Sequence, residues 1–194
     1  MAYKEQGSFI SGRYKPARQV ASPNFDARPE GVAPEVLIIH SISLPPGEYQ
    51  SDHVEQFFCN QLEPSEHPYF AEICHLTVSS HFLIKRDGEI VQFVNTNERA
   101  WHAGVSECLG RNAVNDFSIG IELEGWDEAN DGFVDAQYSS LTQLCQALMS
   151  EYAIKQECIF GHNDIAPGRK NDPGPCFDWH RLRSALSSLP QVEN

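Results

Sequence analysis

Val36-Leu37-Ile38-Ile39 is an unbroken apolar, largely β-branched run that stops at His40. A run of this length bounded by turn residues predicts a buried strand. Ser41-Ile42-Ser43-Leu44-Pro45-Pro46-Gly47 follows, and its prolines and glycine end the element. Ser118-Ile119-Gly120-Ile121-Glu122-Leu123-Glu124 alternates and predicts a second strand. Cys158-Ile159-Phe160-Gly161-His162 predicts another short strand, and it also ends on a histidine. Ser80–Lys85 and Ile90–Val94 flank Arg86-Asp87-Gly88-Glu89, a hairpin pattern whose Asp-Gly supplies the positive φ of the turn.

Helical spacing appears elsewhere. Tyr138, Leu141, Leu144, Cys145, Leu148, Met149 and Tyr152 share one face of a helix running from an Asp135 cap to about Tyr152. Val54, Phe57 and Phe58 predict a short helix within 51–60, and Trp179, Leu182 and Leu186 predict one near 178–188. Pro64 to Phe70, with His67 and Tyr69, is expected to be a loop. Residues 1–20 show little periodicity and are expected to be a lead-in to a domain spanning 21–190. Strands mixed with helices and a hairpin give an α/β class: a single domain with a mixed β-sheet flanked by α-helices. The length of 194 residues suits one core.

Charge narrows the partners. The net charge of −13 repels a phosphate backbone, so nucleic acid is not an expected partner, and neither is an anionic membrane. No stretch approaches the roughly 20 apolar residues of a membrane span. The N-terminal residues lack the apolar core of a signal peptide. The six cysteines form no Cys-x-x-Cys pair, so reduced thiols in a cytoplasm are expected. Cys145 and Cys158 fit as small buried hydrophobes.

The candidate chemistry starts from the strand-end histidines, His40 and His162, because strand ends place side chains where loops build sites. A lone histidine is more often a surface or hydrogen-bonded residue. The segment from Gly161 to Pro175 shifts that balance, since it holds a His, a Lys and an Asp in a loop stiffened by three prolines. A His and an Asp from this loop plus a His from another strand make a three-ligand zinc site. Three protein ligands leave a fourth position open, the catalytic arrangement, and zinc so held brings the pKa of water to ~7.

Six further motifs extend the pattern: Ser41-Ile42-Ser43-Leu44-Pro45-Pro46-Gly47-Glu48, His67-Pro68-Tyr69-Phe70, Arg86–Gln92, Arg99-Ala100-Trp101-His102-Ala103-Gly104, Asn115–Gly125 and Lys170–Trp179. In this order they resemble the AmpD-type N-acetylmuramoyl-L-alanine amidases, from about Ser22 to Arg183. That fold is shared with bacteriophage-type amidases and peptidoglycan recognition proteins. The resemblance implies His40, His162 and Asp172 as zinc ligands, Glu122 as proton acceptor, Lys170 as transition-state stabiliser and Tyr69 as a site tyrosine. It implies a zinc-dependent hydrolysis of the amide between N-acetylmuramic acid, in its 1,6-anhydro form, and the L-alanine of a stem peptide, during cell-wall recycling.

Without the resemblance, Glu122 would be a solvent-facing strand residue and Lys170 a solvated loop lysine. His102 either contacts substrate or orients its loop, and Trp101 packs or offers its face to a sugar ring. Arg111 and Arg169, with Lys170, offset the acidic surface toward a peptide that carries carboxylates. Three positions depart from the family: Ser41 where Asn is frequent, and Thr77 and Ala113 where Arg is frequent. The rival readings are a non-catalytic peptidoglycan-binding module of the same fold and an envelope amidase acting on intact murein. The expected partners are anhydro-muropeptides, the expected state a monomer.

Overall fold

In the computed structural model, which describes residues 7–126 and 132–188, Ser118–Glu124 is buried along its whole length. It lies inside a six-stranded mixed sheet. On one side it pairs in parallel with Val36–Ile42, which pairs in parallel with Ile159–Gly161. On the other it pairs in parallel with Phe82–Ile84, which turns antiparallel into Ile90–Gln92. Arg18–Gln19 closes that edge, parallel to Ile90–Gln92. Parallel neighbours explain why both long strands are apolar and covered on both faces.

The alternation sorts the two faces. Leu37, Ile39, Ile119, Ile121 and Leu123 pack against the helices Asp135–Tyr152 and Trp179–Ser187. Leu141, Leu144 and Leu148 are fully buried there, each contributing ~1.5–3 kcal/mol relative to exposure. On the opposite face Val36 and Ile38 meet Val114, Phe117 and Ile165. Leu83 and Val91 meet Val54, Phe57 and Phe70 from the helices His53–Phe58 and Pro68–Ile73. The face of Ser118–Glu124 that carries no large apolar group presents Ser118, Gly120, Glu122 and Glu124. Glu124 ties two loops to the sheet by accepting from the Gln50 N–H at 2.6 Å and the Arg86 N–H at 2.9 Å.

Several elements differ from the sequence reading. The His40 strand runs on to Ile42, because Ser41 and Ile42 still pair with Leu123 and Glu124. Asp135 is the first residue of its helix; the Val134 N–H is met by Gln137 Oε1 at 3.2 Å. His162 begins a one-turn helix, His162–Ile165, after the strand has ended at Gly161. Tyr69 lies on a helix, not in a loop: Pro68 starts it and the His67 ring accepts the Tyr69 N–H at 3.1 Å. In the hairpin, Gly88 adopts φ +90° where a Cβ would meet Ala136 O at 3.1 Å.

The lead-in is also more structured than its sequence suggests. Phe9 and Tyr14 are buried in the main core. Gln92 binds this segment with its whole amide: Oε1 accepts from Tyr14 N and Gln19 Nε2, and Nε2 donates to Gly12 O and Val94 O. No disulfide joins any of the six cysteines. No helix among the described residues is long and apolar enough to cross a membrane.

Candidate metal centre and cleft

Three adjacent parallel strands end side by side. His40 is the register partner of Glu122, and Gly161, just before His162, is the partner of Ile39. The C-terminal ends of parallel strands are where open α/β sheets place their sites. Asp172 arrives from the proline-rich loop, which folds back so that the Asn163 N–H donates to Asp172 O at 2.9 Å. Gly161 permits that approach, because a Cβ there would meet Pro173 Cδ at 3.0 Å.

The result is a tight triangle. His40 Nδ1 and His162 Nδ1 lie 2.9 Å apart, and each is 3.0 Å from Asp172 Oδ2. Both histidines are buried. Burial pushes the His40 imidazole down to about 4, so it is neutral at pH 7. Burial alone would raise the Asp172 carboxyl, but the His162 and His40 bonds outweigh it and hold the group below the usual carboxylate range.

Protons do not satisfy this triangle. His162 Nε2 faces the Ala103 carbonyl at 3.2 Å, and the tautomer that donates there points the Nδ1 lone pair inward. A proton on His40 Nδ1 could serve only one of its two neighbours. Two imidazole nitrogens and a carboxylate oxygen converging on one point suit a metal cation, and these three residues form the metal-type cluster found among the described residues. Three ligands from the protein leave room for reactants.

The cluster opens into a cleft of about 440 Å³. Glu122 reaches it as a buried carboxyl whose Oε2 has no hydrogen-bond partner among the described residues. Burial raises its pKa well above the carboxylate range, the Asp172 charge adds to this, and the Lys170 charge opposes it. Lys170, Tyr69, Trp101 and His102 line the same cleft. Trp101 is fixed by its indole N–H, which donates to Asp26 Oδ1 at 3.1 Å. Asp26 is in turn gripped by Arg99.

Arg111 lies apart from these residues. It is not among the cleft-lining residues. Its guanidinium pairs with Glu35 at 2.7 Å and sits 3.9 Å over the Phe117 ring, so both its charge and its plane are engaged elsewhere. Arg169 lines the cleft, but its guanidinium donates to the Ala103 and Val105 carbonyls. His81 is structural: its ring nitrogens meet the Gly120 N–H and Glu98 O.

Sequence reasoning passed over Trp126, which lines the cleft beside Gly47, and Ser118 and Gly120, which seat His102. Only Gly120 left a signal. A glycine inside a strand pattern marks close approach by another group.

On this mixed sheet a cluster of three side chains that could hold a metal ion stands beside a buried carboxyl, an arrangement suited to hydrolysis. The family model for N-acetylmuramoyl-L-alanine amidase matches residues 30–175. The 1,6-anhydro-N-acetylmuramyl-L-alanine amidase AmpD of Escherichia coli (strain K12) is 52% identical over 183 residues, covering 94% of this chain and 96% of that protein. A crystal structure of a selenomethionine AmpD derivative superposes with a TM-score of 0.88 at 49% identity, covering 92% of this chain and 98% of the other. The E. coli amidase AmiD, in complex with the substrate anhydro-N-acetylmuramic acid-L-Ala-D-γ-Glu-L-Lys, gives 0.59 at 31% identity, covering 81% and 60%. The chain belongs to the N-acetylmuramoyl-L-alanine amidase family, and it is a hydrolase.

Proposed function

We propose that this protein hydrolyses the amide between 1,6-anhydro-N-acetylmuramic acid and L-alanine in muropeptides, with zinc held by His40, His162 and Asp172. The observation that carries the reading is the meeting of that ligand triangle with the unpartnered Glu122 Oε2 across one strand spacing. Two imidazoles and one carboxylate match a catalytic zinc donor set. When bound, zinc supplies Lewis acidity, acidifying water and drawing charge from a carbonyl oxygen.

The chain's own groups do the rest. Glu122 takes the proton of the attacking water and delivers it to the leaving amine nitrogen. Burial raises its proton affinity, which suits a group that must accept and release one proton per turnover. Lys170 stabilises the oxyanion of the tetrahedral intermediate. Tyr69 and Trp101 form an aromatic wall for the sugar end, with Trp101 held by Asp26 so that its ring, not its N–H, is what the cleft receives. On this reading the protein is a peptidoglycan-turnover hydrolase acting on anhydro-muropeptides, which the names and substrate of its relatives support.

Six cysteines with no disulfide among them fit a reducing cytoplasm. Mass-spectrometric analysis of products from an anhydro-muropeptide, with and without chelator, tests the reading. The expected products are the free anhydro sugar and the intact stem peptide, lost with chelator and restored by zinc. Binding without cleavage, or cleavage at another bond, would reject it.

A further inference from the structure

His102 is held at both ring nitrogens by protein atoms. Its Nδ1 lies 2.9 Å from His40 Nε2, and its Nε2 lies 3.0 Å from Ser118 Oγ. The His40 and His102 rings meet edge to face, with centroids 5.0 Å apart and planes at 84°. Gly120 makes the seat: a Cβ there would meet His102 ring atoms at 2.6–2.8 Å. The backbone is pinned as well, since Asn115 Oδ1 accepts the N–H groups of His102 and Ala103 at 3.2 and 2.8 Å.

Proton accounting decides what this contact does. His40 offers Nδ1 to a cation only in the tautomer that carries its proton on Nε2. That proton points at His102 Nδ1, which then accepts. His102 in turn carries its own proton on Nε2 and donates to Ser118 Oγ. The opposite assignment puts a proton on His40 Nδ1, facing Asp172, and leaves no lone pair for the metal. For His162 the same task falls to the Ala103 carbonyl. One two-residue segment therefore accepts from both ligand histidines, through a side chain at 102 and a backbone oxygen at 103.

We propose that His102 is a positioning residue of the metal centre rather than a substrate contact: it fixes the tautomer and ring plane of His40, seated by Gly120 and Ser118. This rests on the metal-centre reading above. Outer partners of this kind change metal affinity by about ten- to hundredfold.

The test uses the full chain, with metal readouts that need no substrate and a KM measured alongside them. Zinc affinity is measured by competition with a chromogenic chelator, and the visible spectrum of the Co²⁺-loaded protein reports ligand geometry. His102→Leu is expected to weaken zinc by about ten- to hundredfold and to change the cobalt spectrum. His102→Asn, whose Oδ1 stands near the lost Nδ1, is expected to recover most of the affinity. His102→Gln, whose amide reaches toward the Nε2 position instead, is not, and it serves if the Leu variant fails to fold. Gly120→Ala, which fills the seat, is expected to match the Leu variant. Unchanged zinc affinity in folded Leu and Gln variants would overturn the proposal. So would a raised KM at unchanged affinity, which would make His102 a substrate contact. Wild-type zinc affinity in Asp172→Ala would instead remove the metal-centre reading and leave the His102 comparison without its premise.

Discussion

Glu122 and His40 are direct register partners on adjacent parallel strands. Their side chains therefore leave the sheet on one face, about 4.8 Å apart at the backbone. The spacing between the proposed ligand and the proposed proton acceptor is set by sheet geometry and not by a loop. Glu122→Gln keeps this shape and removes the exchangeable proton. It is expected to bind zinc normally and to lose turnover by about 10²–10⁴-fold. Metal content and kcat measured on one preparation check this, and normal turnover would remove Glu122 as the base.

Asp172→Ala is expected to lose metal and activity together. The loss of affinity should exceed the ten- to hundredfold typical of outer partners, because a first ligand is gone. Elemental analysis after dialysis gives the metal content directly. Full activity in a metal-free variant would end the zinc assignment.

His81 predicts a pH dependence of stability. Burial, assisted by the Arg28 charge, lowers its pKa to about 3, against about 6.5 for an unperturbed histidine. The unfolded chain therefore takes up a proton first as pH falls. The stability held by neutral His81 is fully present above about pH 6.5 and is lost progressively toward pH 3. Urea midpoints across that window should fall with pH, with a shallower slope in His81→Gln. An identical slope in the variant would show that His81 does not supply it.

The N-terminal segment should behave as core. Tyr14 is 5% exposed and packs on Phe9 and Phe82. Tyr14→Ala is expected to cost about 3–5 kcal/mol, in the range of other large aromatic truncations. Exposed Arg13→Ala should stay within about 0.5 kcal/mol. Denaturant titration separates the two, and equal effects would return the segment to a peripheral role.

What the sequence made legible followed from period and length. Val36–His40 and the helix from Asp135 to Tyr152 carry strong repeats, and the structure contains both. Elements of two or three residues carry no period, so Phe9, Tyr14 and Arg18–Gln19 looked unstructured although the sheet and core include them. Tyr69 was hidden because a proline beside a histidine signals a loop as readily as a capped helix start. The family pattern pointed to His40, His162, Asp172, Glu122 and Lys170, and the structure brings all five to one cleft. Arg111 shows the converse. Charge alone suggested a substrate contact, but its direction is set by Glu35 and Phe117, distant in sequence. The bond from His102 to His40 spans 62 positions, and no local spacing encodes it.

His40 and His162 stand 122 positions apart. No fragment of the unfolded chain holds them together, so the three-residue cluster exists only in the native state. Any metal that binds there draws the folding equilibrium toward the native form by mass action, by about 2.7 kcal/mol at a free concentration one hundred times Kd. With zinc as the proposed occupant, the melting temperature of this protein becomes a gauge of metal supply, and a shortage of the ion would lower durability as well as turnover.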